Sequence, residues 1–285
     1  MYKLILIDLD GTLLNDQRQV SEENIQIIQK AYKEKGVPSA IATGRGLYVA
    51  EYIGNVVGEG FKQYIIASNG STIKDNKQDI YINKQYLNQE QIRKIIKIGK
   101  QNNLKFMMQT YINNVTDDTE IEKEKEIYDK MGEAFYVSQN LEKYMNEEID
   151  RITVIATIAG DKEDITNAKQ ELENVEGIQT TNVCRHFIKN EQGSREYYYI
   201  DIMEKGASKA NAIIKLADHL GIKKEEIIVI GDGGNDLPMF EVAGLKVAMG
   251  NAIEEIKKKA DYITESNNES GVAKAISKFV LENRE

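Results

Sequence analysis

The sequence predicts an α/β protein: a Rossmann-like, doubly wound parallel sheet interrupted by an inserted α+β module. Three observations lead there. Short, continuous apolar runs of strand length recur, and each precedes a stretch of helical spacing. This alternation lapses near Tyr81 and returns at Gly206. Between the two, the sequence is more charged and mixes strand and helix signals, without internal repeats or low-complexity tracts. The expected division is a core of residues 1–82 and 195–285 with an α+β insertion at 83–194.

Leu4 to Ile7 reads as the first buried strand, and it delivers Asp8-Leu9-Asp10-Gly11-Thr12 onto the loop at its end. Side chains alternate along an extended segment, so Asp8 and Asp10 would leave on one side, near enough to share a divalent cation. Gly11 lets the chain turn sharply. An acidic strand-ending turn is the plain alternative. An EF-hand loop does not fit, because Thr12 and Gln19 stand where that loop requires its third ligand and its closing Glu.

The spacing predicts a helix from Ser21 to Lys35, with Ser21 as N-cap, Asn24 at the capping-box position, Ile25, Ile28 and Tyr32 on one stripe, and Gly36 as the stop. A strand at Ser39–Ala42, the loop Thr43-Gly44-Arg45-Gly46, a helix to about Val57 and a strand at Tyr64–Ala67 follow, closed by Ser68-Asn69-Gly70. Strand, helix, strand in series implies parallel pairing through right-handed crossovers. The insertion opens with a polar helix, Asn88 to Asn102, then the mixed stretch Leu104 to Tyr111 and the charged stretch Asp117 to Lys130. Arg151 to Ala159 reads as a strand, Lys162 to Glu173 as a helix, and Ile178 to Ile188 as paired strand material. Beyond Gly206 come a helix from Ser208 to Leu220, the strand Ile227–Ile230, the loop Gly231 to Asp236, a short helix and the strand Lys246–Met249.

Composition narrows the function. Lys plus Arg total 37 against 46 for Asp plus Glu, a net charge of −9, which argues against a nucleic-acid backbone as partner. One cysteine excludes a disulfide within the chain, and two histidines are too few for a histidine-rich zinc site, so an oxygen-ligand metal and a cytoplasmic setting are expected. No apolar run is long enough for a signal-peptide core or a membrane span. Cys184, in a β-like run, and His219, at a helix end beside Gly221, are expected to be structural.

Asp8, Thr43, Asn69 and Asp232 each fall just past an expected strand, and open α/β sheets bind ligands at the carboxyl ends of their strands. Four polar strand ends on one rim are far less probable as chance turns than any one of them alone. The ordered set Asp8-x-Asp10-Gly11-Thr12, Ala42-Thr43-Gly44-Arg45, Ser68-Asn69-Gly70, Lys205-Gly-Ala-Ser-Lys209 and Gly231-Asp232-Gly-Gly-Asn235-Asp236 closely resembles the haloacid dehalogenase superfamily. Within it, the set is similar to the Cof-type (subfamily IIB) sugar-phosphate phosphatases. Val247 to Ala252, Ala260 to Thr264 and Gly271-Val272 match that family's closing segment, so the resemblance covers nearly the whole chain. The insertion corresponds to the family's cap, where substrate choice is made.

The resemblance implies a Mg²⁺-dependent phosphatase of small phosphorylated metabolites, with the cap closing over the core to exclude water. A phosphate monoester presents a dianion, so a carboxylate nucleophile needs cations to neutralise the charge. By resemblance, Asp8 is the nucleophile that forms an aspartyl-phosphate, and Asp10 protonates the leaving alkoxide and then takes a proton from water. Asp8, the Asp10 carbonyl and Asp232 are the implied Mg²⁺ ligands, with Asp236 supporting them. Lys209 at a helix start, the Thr43 hydroxyl, the Gly44 and Leu9 amides and Asn235 are implied to hold phosphoryl oxygens. Asn69 and Arg45 could contact substrate, although Asn-Gly is a common turn and Arg45 could pair with an acid. Ala210 replaces a glycine frequent after the family's lysine, which alters packing and removes no functional group. Asp16, Asp150, Asp201 and Asp261 lie off the rim and are expected to be structural or solvated, and Tyr197-Tyr-Tyr199 to pack across strands. Two other outcomes share this cradle: a phosphomutase or phosphotransferase, and a phospho-ligand sensor without turnover. A degenerate sensor would be expected to have lost an acid or the lysine.

Overall fold

The protein is described by a computed structural model covering residues 1–110, 113–119, 135–138, 141, 153–190 and 193–282. It divides into two units, Met1–Lys84 with Ser208–Glu285, and Gln85–Ala207. The first unit runs β1 (Leu4–Asp8), α1 (Glu22–Lys35), β2 (Ser39–Ala42), α2 (Leu47–Val57), β3 (Gln63–Ala67) and a hairpin of β4 (Thr72–Asp75) and β5 (Ile80–Lys84). The second contains α3 (Gln89–Gln101), β6 (Lys105–Gln109), β7 (Asn114–Thr116), β8 (Phe135–Val137), β9 (Ile155–Gly160), α4 (Lys162–Leu172), β10 (Ile178–Thr180), β11 (Cys184–Asn190) and β12 (Gly193–Glu204). The first then resumes with α5 (Lys209–Leu220), β13 (Ile227–Gly231), α6 (Leu237–Glu241), β14 (Leu245–Ala248), α7 (Glu254–Lys259), β15 (Tyr262–Ile263) and α8 (Gly271–Ile276).

The first unit's sheet has the order β15-β14-β13-β1-β2-β3-β4-β5. Pairing is parallel from β15 through β3 and antiparallel in the closing hairpin. Leu4, Ile5, Leu6 and Ile7 are fully buried, as befits a central strand covered on both faces. From β1 the chain travels first to one side and later to the other, so the end of β1 is the switch point at which such sheets bind ligands.

The second unit's sheet is antiparallel except for β7 with β8, in the order β10-β12-β9-β6-β7-β8, with β11 also pairing β12. Alternate residues Phe106 and Met108, Ala156 and Ile158, and Ile200 and Ile202 share a core with Ile92, Ile95 and Ile96 of α3 and Ile165, Ala168 and Leu172 of α4. The helix expected as polar is thus amphipathic, and a capping box at Asn88 and Gln91 starts it.

The structure alters several expectations. The second domain boundary moves from 194/195 to 207/208, because β12 is a strand of the second unit's sheet and pairs with β9, β10 and β11. The first lies at 84/85, at the end of the hairpin. Ser21 does cap α1, accepting from the Asn24 amide at 3.2 Å, but Asn24 does not complete a box. Its buried carboxamide oxygen instead accepts from the Ala273 amide at 2.9 Å, tying α1 to α8. The strand expected from Arg151 starts at Ile155, and Arg151 and Ile152 lie outside the described residues, as do Tyr111, residues 120–130 of the charged stretch, and Asp150. Tyr197 and Tyr199 share one face of β12 with ring centroids 6.4 Å apart. Cys184 is half-buried, and burial, with Asp201 nearby, pushes its thiol up, away from reactivity. Asp16, Asp201 and Asp261 make local bonds, to Asn267 and Asn268, to Thr157, and to the Lys246 amide. Among the described residues, no helix is long and apolar enough to cross a membrane.

Candidate active site

β1 ends in Asp8, level with Ala42 of β2, and the register sets its carboxylate at the centre of the rim. The chain then doubles back: the Leu13 amide donates to the Asp8 carbonyl at 3.2 Å and the Leu14 amide to the Leu9 carbonyl at 2.9 Å. Gly11 makes this possible. Its φ is +76°, and a Cβ there would stand 2.3 Å from an Asp232 carboxylate oxygen, so the loop after β1 and the loop after β13 touch backbone to side chain.

Lys209, the first residue of α5, is placed by its neighbour Ser208, which caps the helix by accepting from the Asn211 amide at 3.1 Å. Its ammonium lies 2.6 Å from Asp8 Oδ1 and 2.9 Å from Asp236 Oδ1. All three side chains are buried. Burial works against the Lys209 charge, but Asp8 and Asp236 outweigh it and push the ammonium above the lysine range. Burial pushes the Asp8 carboxyl up to about 8; Lys209 opposes this, and the charges of Asp236 and Asp232 add to it. Burial and the Asp236 charge likewise push Asp232 up to about 6, against the Thr12 hydroxyl.

Asp236 has both oxygens committed: Oδ1 to Lys209, and Oδ2 to the amides of Asp232 and Gly233, each at 3.1 Å. It therefore orders the loop after β13. Asp8, Asp232 and Asp236 each place a carboxylate oxygen within 4.8 Å of the others. The donors are oxygens, three acids face one lysine, and burial, with the neighbouring acids adding to it, raises two of the carboxyls. That set fits a hard divalent cation such as Mg²⁺, held by Asp8 and Asp232 with Asp236 behind them.

The other expected residues distribute around this centre. The Thr43 hydroxyl accepts from the Arg45 amide at 3.0 Å, which leaves its own proton free to donate. The buried Arg45 guanidinium grips Asp10 through both carboxylate oxygens, with Nε 2.8 Å from Oδ2. The acid that pairs with Arg45 is thus Asp10, whose side chain is 56% exposed. Gly44 packs under Asn69, and Asn235 is exposed, with its Oδ1 close to Gly233. The Leu9 side chain is fully buried.

Two residues had no role assigned from sequence. Thr12, fully buried, donates to Asp232 Oδ1 at 3.0 Å. Asn251 donates to the Gly11 carbonyl at 2.8 Å and accepts from the Asn267 amide at 2.9 Å, so it pins the loop that carries Asp10. Each sits inside a motif quoted above, but the motif alone does not show the bond.

The sequence model of the haloacid dehalogenase-like hydrolases matches residues 5–276. Among similar proteins, the 5-amino-6-(5-phospho-D-ribitylamino)uracil phosphatase YcsE of Bacillus subtilis (strain 168) is 32% identical, over 98% of this chain and 96% of its own. A second phosphatase of that name and organism, YwtE, is 31% identical over 98% of each. The crystal structure of a haloacid dehalogenase-like hydrolase from Bacteroides thetaiotaomicron superposes with a TM-score of 0.79 at 28% identity, covering 98% of this chain and 99% of that one.

Proposed function

The chain belongs to the haloacid dehalogenase-like hydrolases and is a phosphoric monoester hydrolase, and we propose that it uses Mg²⁺ and an aspartyl-phosphate on Asp8 to hydrolyse small phosphorylated metabolites such as sugar phosphates. The observation that carries this reading is the buried Lys209 ammonium bridging Asp8 and Asp236, with the Asp232 carboxylate alongside. A nucleophilic carboxylate needs positive charge on the side from which a dianion approaches, and this arrangement supplies it. Bound between Asp8 and Asp232, the cation would supply the further positive charge that lets carboxylate and phosphate meet.

In the first step an Asp8 carboxylate oxygen forms a bond to phosphorus while the ester P–O bond breaks. The departing alkoxide takes a proton from Asp10, which acts in its protonated form with one oxygen released from Arg45. In the second, a water oxygen attacks phosphorus as its proton passes to Asp10, the Asp8–phosphorus bond breaks, and inorganic phosphate leaves. Asp8 and Asp10 are then restored. Lys209, the Thr43 hydroxyl and the amides of Gly44 and Leu9 would hold the phosphoryl oxygens. The substrate class is supported by the two Bacillus relatives, whose named substrate carries its phosphate on a ribityl chain.

The test is phosphate release from p-nitrophenyl phosphate and a small sugar-phosphate panel with Mg²⁺ or EDTA, for the native chain and Asp8→Asn. Turnover that needs Mg²⁺ and falls by at least ~10³-fold in the variant is expected. Transfer of phosphate to an organic acceptor would make the protein a phosphotransferase. Tight phosphate binding without release would make it a sensor.

A further inference from the structure

We infer that Asn69 recognises a hydroxyl group on the leaving group of the substrate, close to the phosphoester, and so sets a preference for hydroxylated esters; this rests on the phosphatase reading above. Three observations carry it. The first is a strained backbone. Ser68, Asn69 and Gly70 have φ of 53°, 52° and 95°, three successive left-handed residues of which two are not glycine. Such a turn persists only where its surroundings over-determine it, and such turns cluster at functional sites. Here the Asn69 amide donates to the Thr43 carbonyl at 3.0 Å and the Ser68 amide to the Arg45 carbonyl at 2.9 Å. On its other side Gly70 lies so close to the start of α5 that a Cβ would fall 2.2 Å from the Ser208 carbonyl oxygen. The turn is therefore clamped between the segments that carry Thr43 and Lys209.

The second observation is where the side chain goes. Asn69 lies over Gly44: a Cβ on that glycine would be 3.0 Å from Asn69 Oδ1 and 3.6 Å from Nδ2. The carboxamide is thus directed back across the rim, half-buried, and makes no hydrogen bond to any described residue. A rigid, aimed polar group with both its donor and its acceptor open suits a ligand that both accepts and donates, as a hydroxyl does.

The third is distance. Asp8, Ala42 and Ile66 are level across β1, β2 and β3. With neighbouring strands about 4.8 Å apart, the end of β3 stands roughly 10 Å across the rim from Asp8. The Asn69 carboxamide reaches back over Gly44, one strand nearer, so it stands beside the phosphoryl position, where the first carbons of a chain leaving the ester oxygen would run.

Glycerol 1-phosphate and n-propyl phosphate share a carbon chain and differ only in hydroxyls, so the pair isolates this contact. Asn69→Gly keeps the left-handed backbone at no steric cost and removes only the carboxamide. The native chain with Mg²⁺ is expected to prefer glycerol 1-phosphate. The variant should lose about 10- to 100-fold in kcat/KM on that ester and less than about threefold on n-propyl phosphate, because a site built for a hydroxyl rejects its absence. Equal losses on both esters, an unchanged preference in the variant, or no preference in the native chain would each overturn the inference while leaving the phosphatase reading intact. A native chain that hydrolyses neither these esters nor p-nitrophenyl phosphate would bring down both.

Discussion

Thr12 shows how much one buried hydroxyl decides. Its proton goes to Asp232 Oδ1, and Asp232 also lies against Gly11, so this carboxylate has one orientation available. Thr12→Val keeps the shape and removes the donor. Groups that orient a metal-binding carboxylate typically contribute 10- to 100-fold to affinity, so the concentration of Mg²⁺ giving half-maximal activity should rise by about that factor. Calorimetric titration of Mg²⁺ should show the same weakening; unchanged affinity would mean that Gly11 alone fixes Asp232. At this scale the sequence was legible where a residue's backbone position determines where its side chain stands. Asp8, Asp232 and Lys209 end a strand, follow a strand and start a helix, and the order of the motifs located all three. It was opaque where long side chains choose among partners. Arg45 could have reached solvent, substrate or an acid, and only the folded rotamer joins it to Asp10. Asn235, expected at the phosphate, is exposed, with its Oδ1 beside Gly233, a placement the motif alone does not give.

At the scale of elements, the left-handed turn after β3 joins the loop bearing Thr43 to the helix bearing Lys209, and Gly70 is its fulcrum. Gly70→Ala would force alanine to φ +95° and press its methyl group against Ser208. We expect the midpoint of urea unfolding to fall by the equivalent of about 3 kcal/mol, the size of other strained and overpacked substitutions. A loss below about 1 kcal/mol would show that the turn and α5 are free to separate. The core elements could be read from sequence because strands covered on both faces are continuously apolar, as in Leu4 to Ile7, and because Ser21, Gly36, Ser208 and Gly221 mark helix ends. The run Gly193 to Glu204 misled for a physical reason. A strand's period states that it is extended and which residues share a face, but not which sheet it joins, so β12 was divided between the insertion and the core.

At the scale of the molecule, each unit buries its own apolar cluster. In the second, α3 and α4 cover one face of an antiparallel sheet through Ile92, Ile95, Ile96, Ile165 and Leu172. The start and end of that unit also meet, with Gln85 Nε2 donating to the Lys205 carbonyl at 3.4 Å. Close ends and a separate core are the properties of a module inserted into a host fold without disturbing it. The host's sheet runs unbroken across the insertion, with β13 beside β1. A fragment spanning Gln85–Ala207 should therefore fold alone, giving a single sigmoidal urea transition that coincides by far-ultraviolet circular dichroism and by tyrosine fluorescence. Among the described residues its long-range strand pairings, such as β6 with β9 and β10 with β12, are internal, so excision removes none of these. A gradual or probe-dependent transition would instead mean that the unit draws its cooperativity from the rest of the chain. In that case, substitutions within it would be expected to destabilise the Asp8 and Lys209 centre as well.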